Sequence, residues 1–213
     1  MAYLEIEKGR GRRFELHAVR DAPALGFYAR FGKRAFDLIC VIALLPLWSS
    51  LSAILWAFAR LETGTGCFAD ERIGQFGRRF KCLKIRTMRP EAIRRCAAYK
   101  SAQDPRITRL GYILRRSSLD EVPQLWCVLK GEMSLVGPRP VPAAELNLYG
   151  AQRRSYLQMR PGLTGLWQVS GRNALSYERR IALDVQYARS VSFWNDLKIL
   201  LATSREVVLL SGR

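Results

Sequence analysis

Histidine is almost absent from this chain of 213 residues, because His17 is the only one. Catalysis by a Ser–His or Cys–His pair in the folded core is therefore not expected. The five cysteines are scattered without a CxxC pair. That pattern indicates reduced cytosolic thiols rather than disulfides or zinc ligands. Neither a Walker loop nor a GxGxxG fingerprint occurs, so the sequence offers no common nucleotide-binding loop.

Acidic residues are also scarce. The chain has 18 Asp and Glu against 35 Lys and Arg, which gives a net charge of +17 and a pI near 10.4. Such a balance predicts a polyanionic partner: nucleic acid, an anionic membrane surface or a phosphorylated substrate. Charge alone favours nucleic acid, but a long apolar segment argues against it. The length allows one sizeable domain.

Residues 38–59 form that apolar segment, which contains no charged residue. It is long enough to cross a hydrocarbon core of about 30 Å. Pro46 lies near its middle, where a proline bends a helix sharply. Lys33 and Arg34 flank one end and Arg60 the other, so the positive-inside rule favours neither orientation. We therefore predict a re-entrant helix–break–helix over 31–60, with the serines after Pro46 satisfying freed carbonyl groups.

Residues 1–30 are polar and basic and lack the apolar core and small-residue cleavage site of a signal peptide. We expect a basic N-terminal tail, which is either flexible or in contact with anionic lipid head groups.

The densest chemistry lies in residues 114–140, where two acids stand among arginines. Asp120 and Glu121 follow the doublet Arg115–Arg116 and precede a Pro-Arg-Pro turn at 138–140. A lone Asp-Glu pair is usually only a helix cap. The surrounding arginines instead indicate a site that handles phosphate and a metal.

Two local structures are compatible with the acids. Ser118 and Glu121 fit a capping box at the start of a helix through Leu129. Because Pro123 is awkward inside a helix, a 3₁₀ turn leading into a helix that starts near Pro123 is equally compatible. In both cases the acids lie at a positive helix end, which keeps a carboxylate ionised. Gly131 is expected to end the helix.

From about Arg30 onward the chain resembles the bacterial sugar transferases, the monotopic polyprenyl-phosphate phosphoglycosyl transferases. Four ordered motifs carry the resemblance: DPRITRLG (104–111), SLDEVPQLW (118–126), MSLVGPRP (133–140) and RPGLTGLWQVSGR (160–172). The last is similar to the branch that initiates exopolysaccharide and O-antigen units on a lipid carrier.

The resemblance implies transfer of a hexose-1-phosphate from a UDP-sugar to polyprenyl (undecaprenyl) phosphate, with release of UMP and Mg²⁺ as cofactor. UDP-galactose or UDP-glucose is the expected donor. The implied nucleophile is Asp120, which forms a covalent phosphosugar, and Glu121 helps to hold Mg²⁺. The residues leave open whether Asp120 attacks or only binds metal. The implied phosphate and nucleotide contacts are Lys84, Arg115, Pro138, Arg139 and Pro140.

The remaining expectations concern architecture. We predict a mostly α chain with a small β-hairpin (α+β), in which a cytosolic, membrane-associated catalytic domain with interfacial amphipathic helices covers 61–213. Glu62 to Gly77 reads as turns, 72–88 as the hairpin, 91–102 as an exposed basic helix and Pro161-Gly162 as a turn. Helices are predicted over 141–150, 176–189 and 193–210. The last has a packing stripe through Trp194, Leu197, Leu200, Leu201, Ser204 and Val208. That stripe could also lie in the membrane interface.

Trp167 reads most simply as a core or membrane-interface anchor, and the resemblance adds a substrate-side alternative. The implied location is the cytosolic face of the bacterial inner membrane. The partners are UDP-sugar, polyprenyl phosphate and the bilayer, without nucleic acid, and a homodimer is compatible. The competing hypothesis is a non-enzymatic basic protein that binds a membrane surface or nucleic acid. It explains the charge but not the acids among arginines.

Overall fold

The computed structural model describes residues 26–89 and 104–208. Residues 1–25 of the predicted basic tail (1–30) and the predicted basic helix at 91–102 lie outside these ranges. The first elements form a bent helical pair. A π-helical turn at Tyr28–Gly32 continues into α1 (Lys33–Ala43), and α2 (Leu45–Thr63) follows after a 65° bend. No helix of the described ranges is long and apolar enough to cross a membrane alone, whereas this pair meets that criterion jointly.

The break falls at Leu44, one residue before α2, and Pro46 occupies the first turn of α2. A proline there removes no hydrogen bond that the helix needs. The indole Nε1 of Trp48 donates to the Val41 carbonyl at 3.0 Å, across the break. Ser49 and Ser52 instead bond carbonyl groups inside α2. The prediction that these serines satisfy carbonyls freed by the break is therefore wrong, because the indole reaches back over the bend.

The predicted hairpin is confirmed. Strand β1 (Cys67–Ile73) pairs antiparallel with β2 (Arg79–Ile85), and a 3₁₀ turn at Gln75–Gly77 joins them. The reading of residues 62–77 as turns is wrong in part, since β1 begins at Cys67. Strand β1 was not recognised in the sequence because it contains several charged residues. One of its faces is exposed, and so few apolar residues give only a weak alternating pattern.

The acidic motif lies between two helices. Helix α3 (Arg109–Ser117) begins with Thr108, whose hydroxyl caps the Gly111 N–H at 2.8 Å. A 3₁₀ segment (Leu119–Gln124) follows and leads into α4 (Leu125–Lys130). Of the two alternatives, the 3₁₀ turn is thus correct. The capping box is not formed, because Ser118 adopts a left-handed conformation (φ 58°) that ends α3. Gly131 ends α4 as expected, at φ 82°.

A second small sheet was not predicted. Strand β3 (Ser134–Val136) pairs in parallel with β4 (Gly162–Thr164), so Pro161-Gly162 opens a strand rather than a turn. Parallel strands need a crossover. Here it contains α5 (Ala143–Leu146), a 3₁₀ segment (Asn147–Gln152) and α6 (Arg153–Leu157). The helix expected at 141–150 is therefore not a continuous α-helix, because α5 ends at Leu146 and a 3₁₀ segment follows it.

The chain then runs through three helices. These are α7 (Leu166–Val169), α8 (Tyr177–Arg189), which Ser176 caps, and α9 (Phe193–Val208), with a 3₁₀ turn at Arg172–Ala174 between the first two. The predicted packing stripe of α9 is wrong in part: Trp194 is 67% and Leu201 63% exposed, whereas Leu200 packs against the core. The helix is rotated because Asp196 and Ile199 take the buried side.

A buried polar cluster joins α1 to the rest of the molecule. Asp196 of α9 accepts from Lys33 Nζ at 2.6 Å and from the hydroxyl groups of Tyr28 and Tyr187 at 2.8 and 2.7 Å. Asp37 of α1 accepts from the Leu135 N–H of β3 at 3.0 Å. The buried charge of Asp196 is tolerated because it is paired with Lys33. Helix α1 is therefore fixed to β3, and with it to the loop that follows. The mostly helical α+β class is confirmed.

Candidate active site

Asp120 and Glu121 lie on the 3₁₀ segment, which packs against strand β2. Asp120 is buried, whereas about a third of the Glu121 side chain is exposed. The left-handed Ser118 turns the chain out of α3, and its carbonyl accepts the Glu121 N–H at 3.2 Å. This tight turn presents both carboxylates to one cavity.

The burial of Asp120 changes its chemistry. Desolvation, followed by the neighbouring Glu121 charge, raises the pKa of Asp120 to about 6. Lys84 and Arg115 act in the opposite direction and lower it. The expectation that this carboxylate is kept ionised is opposed by its burial, which raises its pKa. Lys84, Arg115 and a backbone N–H favour the charged form.

The cations come from β2 and α3. Lys84 forms an ion pair with Glu121 Oε1, and Arg115 Nε donates to the Thr87 hydroxyl at 2.8 Å. Lys84 and Arg115 reach one cavity from different elements. Both were expected near phosphate, and the structure places both beside the acids.

The Pro-Arg-Pro turn follows β3 and forms another wall. Gly137 N–H donates to the Thr164 carbonyl at 2.9 Å, and Gly162 N–H donates to the Pro138 carbonyl at 2.8 Å. These bonds fix the turn to β4. Arg139 and Pro140 line the cavity, while Pro138 is buried and does not line it. Pro138 therefore shapes the turn, and Pro46 lies apart in α2.

The cavity measures about 550 Å³, which suits a ligand of nucleotide-sugar size. Its far wall is built from β4 and α7, which belong to the 160–172 motif. The residues of this wall are Gly162, Leu163, Thr164, Trp167, Gln168 and Arg172. The side chain of Trp167 is buried, in agreement with a core position, and it also lines the cavity. A role on the substrate side stays a prediction.

Sequence reasoning missed Asp184. This buried carboxylate of α8 accepts from the Tyr149 hydroxyl at 2.8 Å and from the backbone N–H of Arg139. Burial raises the pKa of Asp184 to about 7, although both hydrogen bonds lower it. A single acid in an amphipathic helix gives no signal of such a role. It supports the turn that carries Arg139.

Comparison of the sequence with known proteins identifies the family. The model of the bacterial sugar transferase family matches residues 28–210. The chain is therefore a member of the bacterial sugar transferase family, as the four motifs had indicated.

Individual relatives agree. The chain is 43% identical over 199 residues to the UDP-galactose-lipid carrier transferase of Erwinia amylovora. The aligned region covers 86% of this chain and 42% of that relative. It is 40% identical, with the same coverage, to the undecaprenyl-phosphate galactose phosphotransferase of Salmonella typhimurium. It is 43% identical to the exopolysaccharide production protein ExoY of Rhizobium meliloti, over 84% of this chain and 87% of that protein. The chain thus spans less than half the length of the first two relatives.

Proposed function

We propose that this protein transfers a hexose-1-phosphate from a UDP-sugar to polyprenyl phosphate and releases UMP. One observation carries the proposal: a buried carboxylate and a carboxylate exposed by about a third share a cavity of nucleotide-sugar size with Lys84, Arg115 and Arg139. The names of the Erwinia and Salmonella relatives support a lipid-carrier acceptor and a galactose donor.

The carboxylate of Asp120 acts as the nucleophile in this proposal. One of its oxygens attacks the phosphorus that bears the sugar, and the bond between the two phosphates breaks with UMP as leaving group. An oxygen of polyprenyl phosphate then attacks the same phosphorus, releases Asp120 and forms the lipid-linked diphosphosugar. A carboxylate nucleophile carries no proton, so no general base is needed.

Each partner in this reaction is an anion, and the cavity supplies the opposite charge. Arg139 and Lys84 can contact phosphate oxygens, because both line the cavity that holds the acids. Preorganised cations of this kind stabilise the charge that develops on transferred phosphate. The Lys84–Glu121 ion pair holds Glu121 beside Asp120.

Mg²⁺ fits the donor set. No cluster of three or more His, Cys, Asp or Glu side chains suited to a metal occurs in the described residues. Mg²⁺ needs fewer protein ligands, since it binds through one or two carboxylates and completes its shell with substrate phosphates and water. Asp120 and Glu121 would hold the ion, which would neutralise phosphate charge.

The membrane arrangement belongs to the same proposal. The bent pair α1–α2 dips into the cytosolic leaflet and returns, so that the cavity faces cytosolic UDP-sugar and carrier phosphate at head-group level. Much of this pair exposes apolar side chains, namely Ile39, Ile42, Leu44, Leu45, Leu47, Ile54, Trp56, Phe58 and Leu61. So many exposed apolar side chains on one element support a membrane-contact surface. Trp194 and Leu201 of α9 are consistent with an interfacial helix.

The test is a transfer assay. Purified protein with undecaprenyl phosphate is incubated with UDP-galactose, UDP-glucose and other UDP-sugars, and UMP is followed together with the lipid product. We expect repeated turnover with UMP release to require the acceptor, and we expect EDTA to abolish it and Mg²⁺ to restore it. Release of UDP rather than UMP, or salt-sensitive DNA binding without any transfer, would contradict the proposal.

A further inference from the structure

Two neighbouring residues of the wall formed by the 160–172 motif carry buried polar atoms without a partner. Trp167 Nε1 and Gln168 Oε1 are buried and have no hydrogen-bond partner among the described residues. Both residues line the cavity. A buried polar atom without a partner costs about 1–3 kcal/mol, so folded proteins rarely retain one without a reason. A ligand in the cavity would supply the missing partners.

The ring of Trp167 is already covered. The guanidinium of Arg139 lies 5.3 Å from the ring centroid and that of Arg180 lies 5.0 Å from it. Cations over an indole occupy the surface on which a nucleobase would stack. What Trp167 offers to a ligand is therefore its N–H edge, which is a hydrogen-bond donor only.

An indole N–H and an amide oxygen on neighbouring residues match a hydroxyl group. A hydroxyl accepts one hydrogen bond and donates another, so the hydroxyl groups of a sugar can satisfy both protein atoms. Position also favours the sugar. Arg139 joins the Trp167 wall to the proposed phosphate site, and the sugar is bonded directly to the phosphate that is transferred.

We propose that Trp167 and Gln168 form the hydroxyl-recognition subsite for the transferred sugar and determine which hexose is accepted. This inference rests on the proposed transferase function. A site built to bond a substrate hydroxyl discriminates strongly against a sugar that places this group elsewhere, because its buried polar atoms then stay unpaired.

The experiment compares Trp167→Phe with the matched variant Trp194→Phe, which removes an exposed indole outside the cavity. For each protein, kcat/KM is measured with UDP-galactose and with UDP-glucose, which differ only in the orientation of one hydroxyl. We expect Trp167→Phe to lower kcat/KM for the preferred sugar about tenfold or more, the loss of one hydrogen bond, and to bring the two sugars closer together. Trp194→Phe should keep the wild-type ratio.

A second variant and a second ligand distinguish a local effect on sugar binding from a general loss of folded protein. Gln168→Met keeps the side-chain size and removes the acceptor, and it should also reduce the discrimination between the two sugars. Inhibition by UMP, which lacks the sugar, should remain unchanged within about twofold in either variant, since neither group contacts the nucleotide.

The subsite assignment is overturned if either folded variant keeps the wild-type ratio between the sugars, or if UMP inhibition weakens as much as transfer does. The latter result would assign this wall to the nucleotide. A wild-type protein that transfers neither sugar nor any other UDP-sugar would instead overturn the proposed function itself.

Discussion

The charge of Asp120 depends on its cationic neighbours. Burial and Glu121 raise its pKa to about 6, and Lys84 counteracts this effect. We predict that Lys84→Met moves the acid limb of kcat/KM to higher pH, because the carboxylate then takes up its proton more readily. It should also lower the rate about 10²–10³-fold through the loss of one preorganised cation. A pH profile of kcat/KM for the free enzyme reports this pKa.

Arg79→Met is the matched control for Lys84→Met. It removes a cation from the same strand, but Arg79 is exposed, pairs with Glu71 and does not line the cavity. Equal effects of the two variants would show that overall surface charge, and not a specific site, governs activity.

Asp184 offers a test by stability. Its native pKa is about 7, above the ordinary value near 3.9 of an unfolded chain. Between these values the folded state binds a proton that the unfolded state releases, so this group makes stability fall as pH rises from about 4 to about 7. We predict that Asp184→Asn flattens the dependence of Tm on pH in this interval. An unchanged slope would mean that Asp184 does not titrate as its burial indicates.

The β3–β4 pair leaves no room for a methyl group on Gly137, the residue that follows β3. A Cβ on Gly137 would lie 2.4 Å from the Arg160 carbonyl oxygen and 2.8 Å from Gly162 N, so the two chains would have to separate. We predict that Gly137→Ala destabilises the fold by about 1–3 kcal/mol, as overpacking does, and displaces Arg139 from the cavity. Chemical unfolding measures the first effect and transfer kinetics the second. Gly26→Ala is the control, because its Cβ would meet nothing within 4 Å.

Elements with strong local patterns could be predicted from the sequence, and those set by distant contacts could not. The bent apolar pair, the β1–β2 hairpin and helix α8 follow from composition, turn residues and a capping serine. The three-residue strands β3 and β4 pair across a long crossover, and nothing in either short stretch signals the other. The rotation of α9 depends on Asp196, whose partners lie in other helices.

The residues of the candidate site fall into the same two groups, those that a local motif marks and those whose role depends on distant contacts. Asp120, Glu121, Lys84 and Arg139 were found because motifs mark them, and the fold brings them into one cavity. Asp184 acts through a backbone N–H far away in sequence, and residue type alone does not reveal it.

For the whole molecule, the re-entrant arrangement predicts that both ends of the bent pair lie on one side of the membrane. Gly26→Cys places a thiol before α1, and the native Cys67, which is exposed, marks the chain after α2. In a background without the other cysteines, an impermeant thiol reagent should label neither site in intact cells and both after permeabilisation. A segment that crosses the membrane would instead label one of the two sites in intact cells.

The central claim, that Asp120 carries the phosphosugar, is tested most directly by intact-protein mass spectrometry. Wild-type protein is mixed with Mg²⁺ and its UDP-sugar in the absence of polyprenyl phosphate. The account predicts a mass increase of one hexose-1-phosphate with release of UMP, located at Asp120 by peptide mapping. The adduct should disappear when acceptor is added and should be absent from Asp120→Asn. Active wild-type protein that releases UMP only with acceptor present and never carries the adduct would contradict the account.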